Sequence, residues 1–273
     1  EPGDPDSPHR FSLLPEDAAG ELYAVGHDGR LHRFELPDVK AASRAFPTLL
    51  SQTGLFSDLA ALTPQSGLLP YDVAWPFWSD GAQKQRWLAV PERAAVEFRS
   101  DAPWSFPVGT VAVKHFELAL DDADPSRRRR LETRVMVHET RGWAGYTYRW
   151  NEAQTDAELV TAPHSAEYSV RRAGVVQTWR WDYPAGSDCL RCHNSATGGV
   201  LGIDTRQLAG GGDDSVLARW STAGVFANPP SDLSAVPHHP RPDDPDASLD
   251  ARARAYLDVN CSVCHRPGGP APG

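Results

Sequence analysis

Two copies of the pentapeptide Cys-x-x-Cys-His use every cysteine of this chain, at Cys189–His193 and at Cys261–His265. Four cysteines and ten histidines in 273 residues make even one copy improbable by chance. This spacing is the attachment signature of c-type haem, because two thiols three residues apart form thioethers to one porphyrin and the adjoining histidine ligates the iron. The chain is therefore predicted to fold around covalent haem c.

Each motif assigns the same three roles. The two cysteines attach the porphyrin, and the histidine is the proximal iron ligand. The residues so assigned are Cys189, Cys192 and His193 for the first haem, and Cys261, Cys264 and His265 for the second.

Three other uses of the cysteines remain open from the sequence. Two disulfides would have three possible connectivities but would leave a histidine after each pair unexplained. A zinc site would need the two pairs close together, whereas residues 193–260 separate them. Thioredoxin-like chemistry would explain one Cys-x-x-Cys but not two with trailing histidines. Haem attachment explains all the features together.

Charge and hydropathy limit the partners of the chain. A net charge of −9 and a pI of about 5.5 disfavour a nucleic-acid partner. No apolar run approaches the roughly 18 residues that a membrane span requires. Residue 1 is Glu and no signal peptide is visible, so processed or truncated material is expected. Covalent haem attachment predicts a periplasmic or otherwise extracytoplasmic location.

The region from Tyr71 to Tyr183 has the pattern of short antiparallel strands. Its segments alternate in polarity or are rich in β-branched and aromatic residues, with Gly-containing turns between them. We therefore predict a mainly β protein with short helices (α+β), built as a sandwich or curled sheet and not as a parallel α/β sheet. The predicted strands are Val111–Leu118, Leu131–His138, Gly145–Trp150 and Val175–Trp181.

Before this region, residues 1–38 predict a β-hairpin around the turn Asp28-Gly29. This segment resembles the last blade of the propeller in quinoprotein sugar dehydrogenases. Residues 39–228 are predicted to form a β-rich c-type haem domain. A short helix near its start is expected to end at Gly54.

Residues 229–246 are rich in proline and aspartate and predict a semi-rigid linker, with His238 and His239 facing solvent. Residues 247–273 are predicted to be the N-terminal fragment of a cytochrome c domain. Its helix, capped by Asp246 or Ser248, leads directly into Cys261. The apolar residues predicted on one face of this helix are Leu249, Ala253, Tyr256 and Leu257.

Six strings in the chain are similar to one family of bacterial dihaem c-type cytochromes, whose members often follow a propeller domain. The similarity covers about residues 40–273. It implies a β-sheet haem domain followed by the truncated start of a helical class I cytochrome c domain. The strings are Leu50–Phe56, Trp75–Gly81, Phe106–Phe116, Gly145–Asn151, Asp188–Asn194 and Tyr256–His265.

The resemblance implies an electron-transfer protein with two haems. Such a protein would receive electrons from an associated dehydrogenase and pass them to a downstream cytochrome or oxidase. A second resemblance, through the Phe-Pro-x-Gly-Thr strand, the Gly-Trp strand and the later Cys-x-x-Cys-His, is to β-sheet haem proteins of the cytochrome P-460 type. It implies the alternative of a haem enzyme, of peroxidase or oxidase type, with an open iron. The sequence contains no recognisable set of catalytic residues.

The sixth iron ligand of the first haem is not fixed by a motif. The nearby candidates are His115, Met136 and His138, ranked in that order as possible distal ligands. A histidine on an apolar strand face is more often a hydrogen-bonded core residue, and a neighbouring haem makes ligation by His115 an equal alternative. Histidine ligation would favour a lower reduction potential than methionine ligation.

Overall fold

The computed structural model describes residues 11–13, 15–17, 23–26, 29–33, 46–210, 214–267 and 269–271. The chain divides into two compact units, Glu1–Phe46 and Pro47–Gly273. The boundary predicted between residues 38 and 39 lies outside the described residues.

The first unit contains a three-stranded antiparallel sheet. Its strands are β1 (Phe11–Leu13), β2 (Tyr23–Gly26) and β3 (Leu31–Arg33). The last two form a hairpin, as the turn signal predicts, with Val25 opposite Leu31. Gly29 has a φ of 79°, the left-handed conformation that a tight turn requires. Asp28 lies outside the described residues.

The second unit begins with one 3₁₀ turn, Leu50–Thr53, and not with a longer helix in the described residues. Gly54 caps this turn with a φ of 71°, which confirms the predicted ending. A small antiparallel pair follows: β4 (Phe56–Asp58) and β5 (Thr63–Pro64).

A six-stranded antiparallel sheet forms the centre of the second unit. Each strand pairs with the next one along the chain, so the sheet is a meander. All the pairings are antiparallel, as predicted. The strands are β6 (Leu69–Pro70), β7 (Gln83–Ala89), β8 (Val111–Ala119), β9 (Arg128–Glu139), β10 (Gly142–Trp150) and β11 (Ala157–Leu159).

Side chains alternate between the two faces of this sheet. On the face that we call inner, Lys114 of β8 lies between its register partners Arg86 of β7 and Arg134 of β9. Met136 shares this inner face two residues further along β9. His115 points to the opposite, outer face. The inner face therefore carries the cations Arg86, Lys114 and Arg134 side by side, and the outer face carries His115.

A long hairpin covers one end of the inner face: β12 (His164–Arg172) and β13 (Val175–Tyr183). The ring of Phe116 on the sheet lies 5.8 Å from the ring of Trp181 on the hairpin, between their centroids. Leu118 and Tyr183 are buried in the same cluster. Because a fully buried aromatic or aliphatic side chain contributes about 1.5–3 kcal/mol, this cluster holds the hairpin on the sheet.

Short helices after β13 cover the rest of the inner face. They are α1 (Gly186–Cys189), α2 (Thr205–Leu208) and α3 (Val216–Thr222). Asp204 caps α2 and Ser215 caps α3 through their side-chain oxygens. The indole of Trp104 meets the ring of Phe226 edge-on, with centroids 4.9 Å apart, in the core that joins these helices to the sheet.

The segment predicted to be a linker, residues 229–246, is packed against other parts of the second unit. The indole Nε1 of Trp75 donates to the carbonyl of Pro240, and the backbone N–H of His239 donates to the carbonyl of Arg206 at 2.8 Å. The prediction that His239 faces solvent is wrong, since this residue is only 8% exposed and its Nε2 lies 3.0 Å from Asp258 Oδ2.

Helix α4 (Leu249–Asn260) starts at the Ser248 cap, whose hydroxyl accepts from the backbone N–H of Ala251. It ends directly before Cys261, as predicted. The predicted apolar face is not buried: Leu249, Tyr256 and Leu257 are exposed, and Ala255 is the buried residue of the helix. Tyr256 nevertheless contacts Trp75, with ring centroids 5.9 Å apart, so α4 is held to the unit at its C-terminal end.

The architecture is mainly β with short helices, which confirms the predicted fold class. None of the helices in the described part of the chain is long and apolar enough to cross a bilayer.

Candidate functional site

The first motif starts at the end of α1, which lies in direct contact with β10. A Cβ atom added to Gly186 would stand 2.3 Å from the carbonyl oxygen of Gly145. A Cβ atom added to Gly145 would stand 2.6 Å from the Cβ of Cys189. Only glycine at both positions allows the helix backbone to touch the strand backbone. This contact fixes Cys189 against the inner face of the sheet.

The backbone then folds the motif into a tight turn. The N–H groups of Cys192 and His193 both donate to the carbonyl of Cys189, at 3.2 and 2.9 Å. The imidazole Nδ1 of His193 lies 2.8 Å from the carbonyl oxygen of Gly199. Because a carbonyl only accepts, Nδ1 carries the proton and Nε2 keeps a free lone pair. An oriented imidazole of this kind is what a metal ligand requires.

The protonation state of His193 also suits a ligand. Burial, assisted by the positive charges of Lys114 and Arg134, lowers the pKa of His193 to about 4. The imidazole is therefore neutral near pH 7. A neutral imidazole is the form that binds a metal ion.

Cys189, Cys192 and His193 line one cavity of about 420 Å³ beneath the inner face. This volume lies within the range of small-molecule and cofactor sites. The wall combines aromatic rings with a few polar groups, as is typical of such sites. The aromatic residues of the wall include Tyr71, Trp75, Phe77, Trp104, Phe106 and Phe116.

The candidates for the sixth ligand are not equally placed. Met136 lines the cavity and is 5% exposed. Its sulfur lies 3.2 Å from the point where a Cβ on Gly145 would stand, and the sulfur of Cys189 lies 2.9 Å from the same point. Met136 is thus next to the attachment residue of the first motif.

His115, which was ranked first, does not line the cavity. It is fully buried on the outer face, where Nδ1 lies 2.8 Å from Thr133 Oγ1 and Nε2 lies 3.3 Å from Glu117 Oε1. Both ring nitrogens have partners, so the contacts are those of a hydrogen-bonded core histidine. We therefore replace His115 by Met136 as the first candidate for the distal ligand.

His138 also lies outside the main cavity. Its ring stacks on Trp143, with centroids 4.7 Å apart and an interplanar angle of 14°. Both residues line a neighbouring cleft together with Gly198. The structure thus brings Met136, but neither histidine, to the wall that contains His193.

The sequence did not predict the cations that the central sheet contributes to the cavity wall, which are Lys84, Arg86, Lys114 and Arg134. Burial and the neighbouring cations lower the pKa of Lys114 to about 7, and similar causes lower that of Lys84 to about 8. Burial also lowers the pKa of Arg86. Each of three consecutive strands has a cation on the face that points to the cavity. This pattern can be recognised only when the register of the strands is known.

The second motif has the same backbone turn as the first. The N–H groups of Cys264 and His265 donate to the carbonyl of Cys261, at 3.1 and 2.9 Å. Its surroundings differ, because Cys261 and His265 are exposed. Of the two cysteines and the histidine of this motif, only Cys264 lines the cavity, together with the intervening Ser262 and Val263.

The two motifs meet through one residue of each. Cys192 and Cys264 line the same cavity, and burial together with the nearby Cys264 thiol raises the pKa of Cys192. Arg266 also donates to the carbonyl of Ala196 at 3.3 Å, just beyond the first motif. Two thiols that are distant in the sequence therefore lie on the wall of the same cavity.

All four cysteines are free thiols. Within the described residues, no group of three or more His, Cys, Asp or Glu side chains is arranged to hold a bare metal ion. A haem iron needs fewer protein ligands, since the porphyrin supplies four nitrogen atoms. One free Nε2 and two cysteines on a common cavity wall fit that requirement at the first motif.

Comparison with protein-family models, with curated proteins and with solved structures found no match to this chain.

Proposed function

We propose that this chain is a dihaem c-type cytochrome that transfers electrons from an associated dehydrogenase to a downstream carrier. The observation that carries the proposal is the state of His193: its Nδ1 is held by the Gly199 carbonyl, its Nε2 is free, and it shares a cavity wall with Cys189 and Cys192. A bound haem supplies a one-electron couple. The protein contributes attachment, orientation of the ligand and exclusion of water.

At the first motif, the thiols of Cys189 and Cys192 would hold the porphyrin through thioethers, and the Nε2 of His193 would be the iron ligand. The Gly199 carbonyl holds the imidazole ring in one orientation. Met136 on β9 lines the same cavity and would offer its thioether sulfur as a second ligand. Burial among Trp104, Phe106 and the other rings lowers the dielectric of the site.

At the second motif, Cys261, Cys264 and His265 have the same roles. Because Cys264 and Cys192 line the same cavity, one attachment point of each haem would lie near the other. Adjacent attachment points favour electron transfer between two haems over two independent sites. Attachment of haem c belongs to the extracytoplasmic side of a bacterial membrane, so we infer a periplasmic location.

Haem counting tests this function directly. The full chain is exported in cells that attach haem c and is assayed by pyridine haemochrome and by haem stain after denaturing electrophoresis. We expect two haems per chain, and one after either double substitution, Cys189→Ala with Cys192→Ala or Cys261→Ala with Cys264→Ala. His115→Gln is the control and should leave the count unchanged. Absence of covalent haem from the wild type would contradict the proposal.

The alternative function is a haem enzyme of peroxidase or oxidase type, related to the cytochrome P-460 group, with an open iron. The size of the cavity and the cations in its wall favour it. Absorption spectra distinguish the two. Six-coordinate, low-spin spectra that change in Met136→Leu support electron transfer, whereas a high-spin haem that binds carbon monoxide supports the enzyme.

A further inference from the structure

Three cationic side chains form a row across three neighbouring strands of the inner face. Lys114 on β8 is the register partner of Arg86 on β7 and of Arg134 on β9. Like charges that lie directly opposite each other destabilise a sheet. All three side chains line the cavity. An arrangement that is unfavourable for the fold alone indicates a ligand.

The row has too few negative partners within the protein. One buried carboxylate, Glu132, faces the row: Arg134 binds it, with Nη2 2.5 Å from Oε1, and Lys114 also attracts it. Among the residues that the structure describes, the side chains of Arg86 and Lys114 have neither a hydrogen bond nor an ion pair. Arg86 is only 8% exposed. A buried cation without a partner is costly, and a bound anion would remove that cost.

The other carboxylates of the cavity do not supply the missing charge, because each has a different partner. Their partners are the backbone N–H of Ala185 for Asp188, the backbone N–H of Gln207 for Asp204, His239 for Asp258 and Arg206 for Asp101. Asp72, the acidic neighbour of Arg86, is exposed and lies outside the cavity wall.

We propose that Arg86, Lys114 and Arg134 form an anion-binding site that holds a carboxylate or another small oxyanion in this cavity. The guanidinium groups offer paired donors that match the geometry of such anions, and the ammonium of Lys114 adds a point charge between them. The anion has two possible sources, a propionate of the bound haem or a free oxyanion from solution. Only the first source rests on the proposed function.

Sulfate is a suitable probe, because it is an oxyanion of fixed charge. The full chain, produced without haem in the cytoplasm, is titrated with sodium sulfate in a calorimeter at low ionic strength. We expect one site in the wild type, and a Kd about tenfold or more higher in Arg86→Gln and in Lys114→Gln, since each substitution removes a charge-assisted bond. The matched control is Arg180→Gln on β13, whose side chain is 67% exposed and whose removal should leave the Kd unchanged.

The same titration of the haem-loaded chain distinguishes the two sources. Sulfate binding that persists after haem attachment identifies a free oxyanion. Loss of binding on attachment, together with a haem reduction potential that is lower in Lys114→Gln than in the wild type, identifies a propionate. The haem-free measurement stands even if no haem attaches, so failure of the proposed function is distinguishable from failure of this site.

Thermal stability gives a second measurement that needs no tight binding. Without sulfate, at low salt and at pH 6, where Lys114 is protonated, Lys114→Gln should unfold at a higher temperature than the wild type, because the row loses its central charge. Added sulfate should raise the unfolding temperature of the wild type more than that of the variant. Equal sulfate affinities in the wild type, Arg86→Gln and Lys114→Gln, or no binding by any of them, would overturn the proposal. So would a lower unfolding temperature for Lys114→Gln at low salt.

Discussion

The two Cys-x-x-Cys-His motifs have the same local backbone but different surroundings. In each motif, the backbone N–H of the histidine donates to the backbone carbonyl of the first cysteine at 2.9 Å. At the first motif, Cys189 is buried against β10 and the ring of His193 is held by a carbonyl. At the second, Cys261 and His265 are exposed at the end of α4. The five residues of the motif therefore determine the backbone turn, whereas packing against the sheet determines whether the motif lies in a buried site.

This difference shows what a motif of five residues does not encode. A ligand must be held by a second partner to keep one orientation, and a cofactor needs a wall of packed side chains around it. Gly199, Met136 and the aromatic rings supply these at the first motif. Each of the following predictions changes a feature that one motif has and the other lacks.

The largest effect is expected for Gly186→Ala. The new Cβ would lie 2.3 Å from the carbonyl oxygen of Gly145, so α1 must move away from β10. We expect the haem-free chain to lose about 3 kcal/mol of stability, as for a severe overpacking substitution. Haem attachment should fall at the first motif and remain at the second. Urea unfolding and haem counting measure the two effects.

The matched control for this substitution is Gly210→Ala. The nearest atom to a Cβ at Gly210 is the carbonyl oxygen of His239 at 3.7 Å, an ordinary contact. Its stability should change by less than about 0.5 kcal/mol. Equal losses in the two variants would show that the contact of α1 with β10 does not position the first motif.

The pH dependence of stability should also differ between the motifs. The folded chain holds the pKa of His193 at about 4, whereas an unfolded histidine titrates near 6.5. Between these values the unfolded state binds more protons, so the haem-free chain should lose stability as the pH falls from about 6.5 to 4. The contribution is fully present above pH 6.5. Allowing for partial exposure, we expect a loss of about 2 kcal/mol.

Substitution separates this contribution from other titrating groups. In urea unfolding between pH 4 and 7, His193→Gln should reduce the slope of stability against pH. His265→Gln should leave the slope unchanged, because His265 is exposed. A slope that falls equally in both variants would remove the distinction between the two histidines.

Much of the sheet could be predicted because its strands alternate in polarity. Val111–Leu118 and Leu131–His138 match β8 and β9 closely. The sequence did not predict β7 (Gln83–Ala89) or β12 (His164–Arg172). In β7 the cations on alternate positions face a cavity, and in β12 most side chains are exposed, so neither strand shows the apolar face that marks a strand.

The proposed attachment residues could be named from the sequence, whereas the cavity wall around them could not. Cys189, Cys192 and His193 were assigned from the motif alone. The sequence ranks His115 above Met136, but His115 lies on the face of the sheet that is turned away from the cavity. Alternation along a strand separates the two faces, and only the packing of the hairpin and the short helices shows which face covers the cavity. The cationic row could not be predicted either, because Arg86, Lys114 and Arg134 are far apart in the chain and become neighbours only through the strand register.

A smaller effect is expected in the reactivity of the thiols. In the haem-free chain, Cys261 is exposed, whereas Cys189 is buried and its pKa is raised by that burial. Because the thiolate is the reactive form, Cys261 should react with a thiol reagent about tenfold or more faster than Cys189. Mass spectrometry of partly labelled protein locates the modified residue. Comparable rates at the two positions would contradict the burial of the first motif.

The smallest effect on stability is expected for Met136→Leu, which conserves volume and should cost about 1 kcal/mol or less in the haem-free chain. Its effect on the haem-loaded chain should be larger, because leucine offers no sulfur to the iron. We expect the spectrum of one haem to change from low spin to high spin and the other to remain as in the wild type. His138→Gln, on the same strand but outside the cavity, is the control. A change in both spectra, or in neither, would show that Met136 is not a ligand of the first haem alone. The sheet would then contribute to the first site only through the contact of β10 with Cys189.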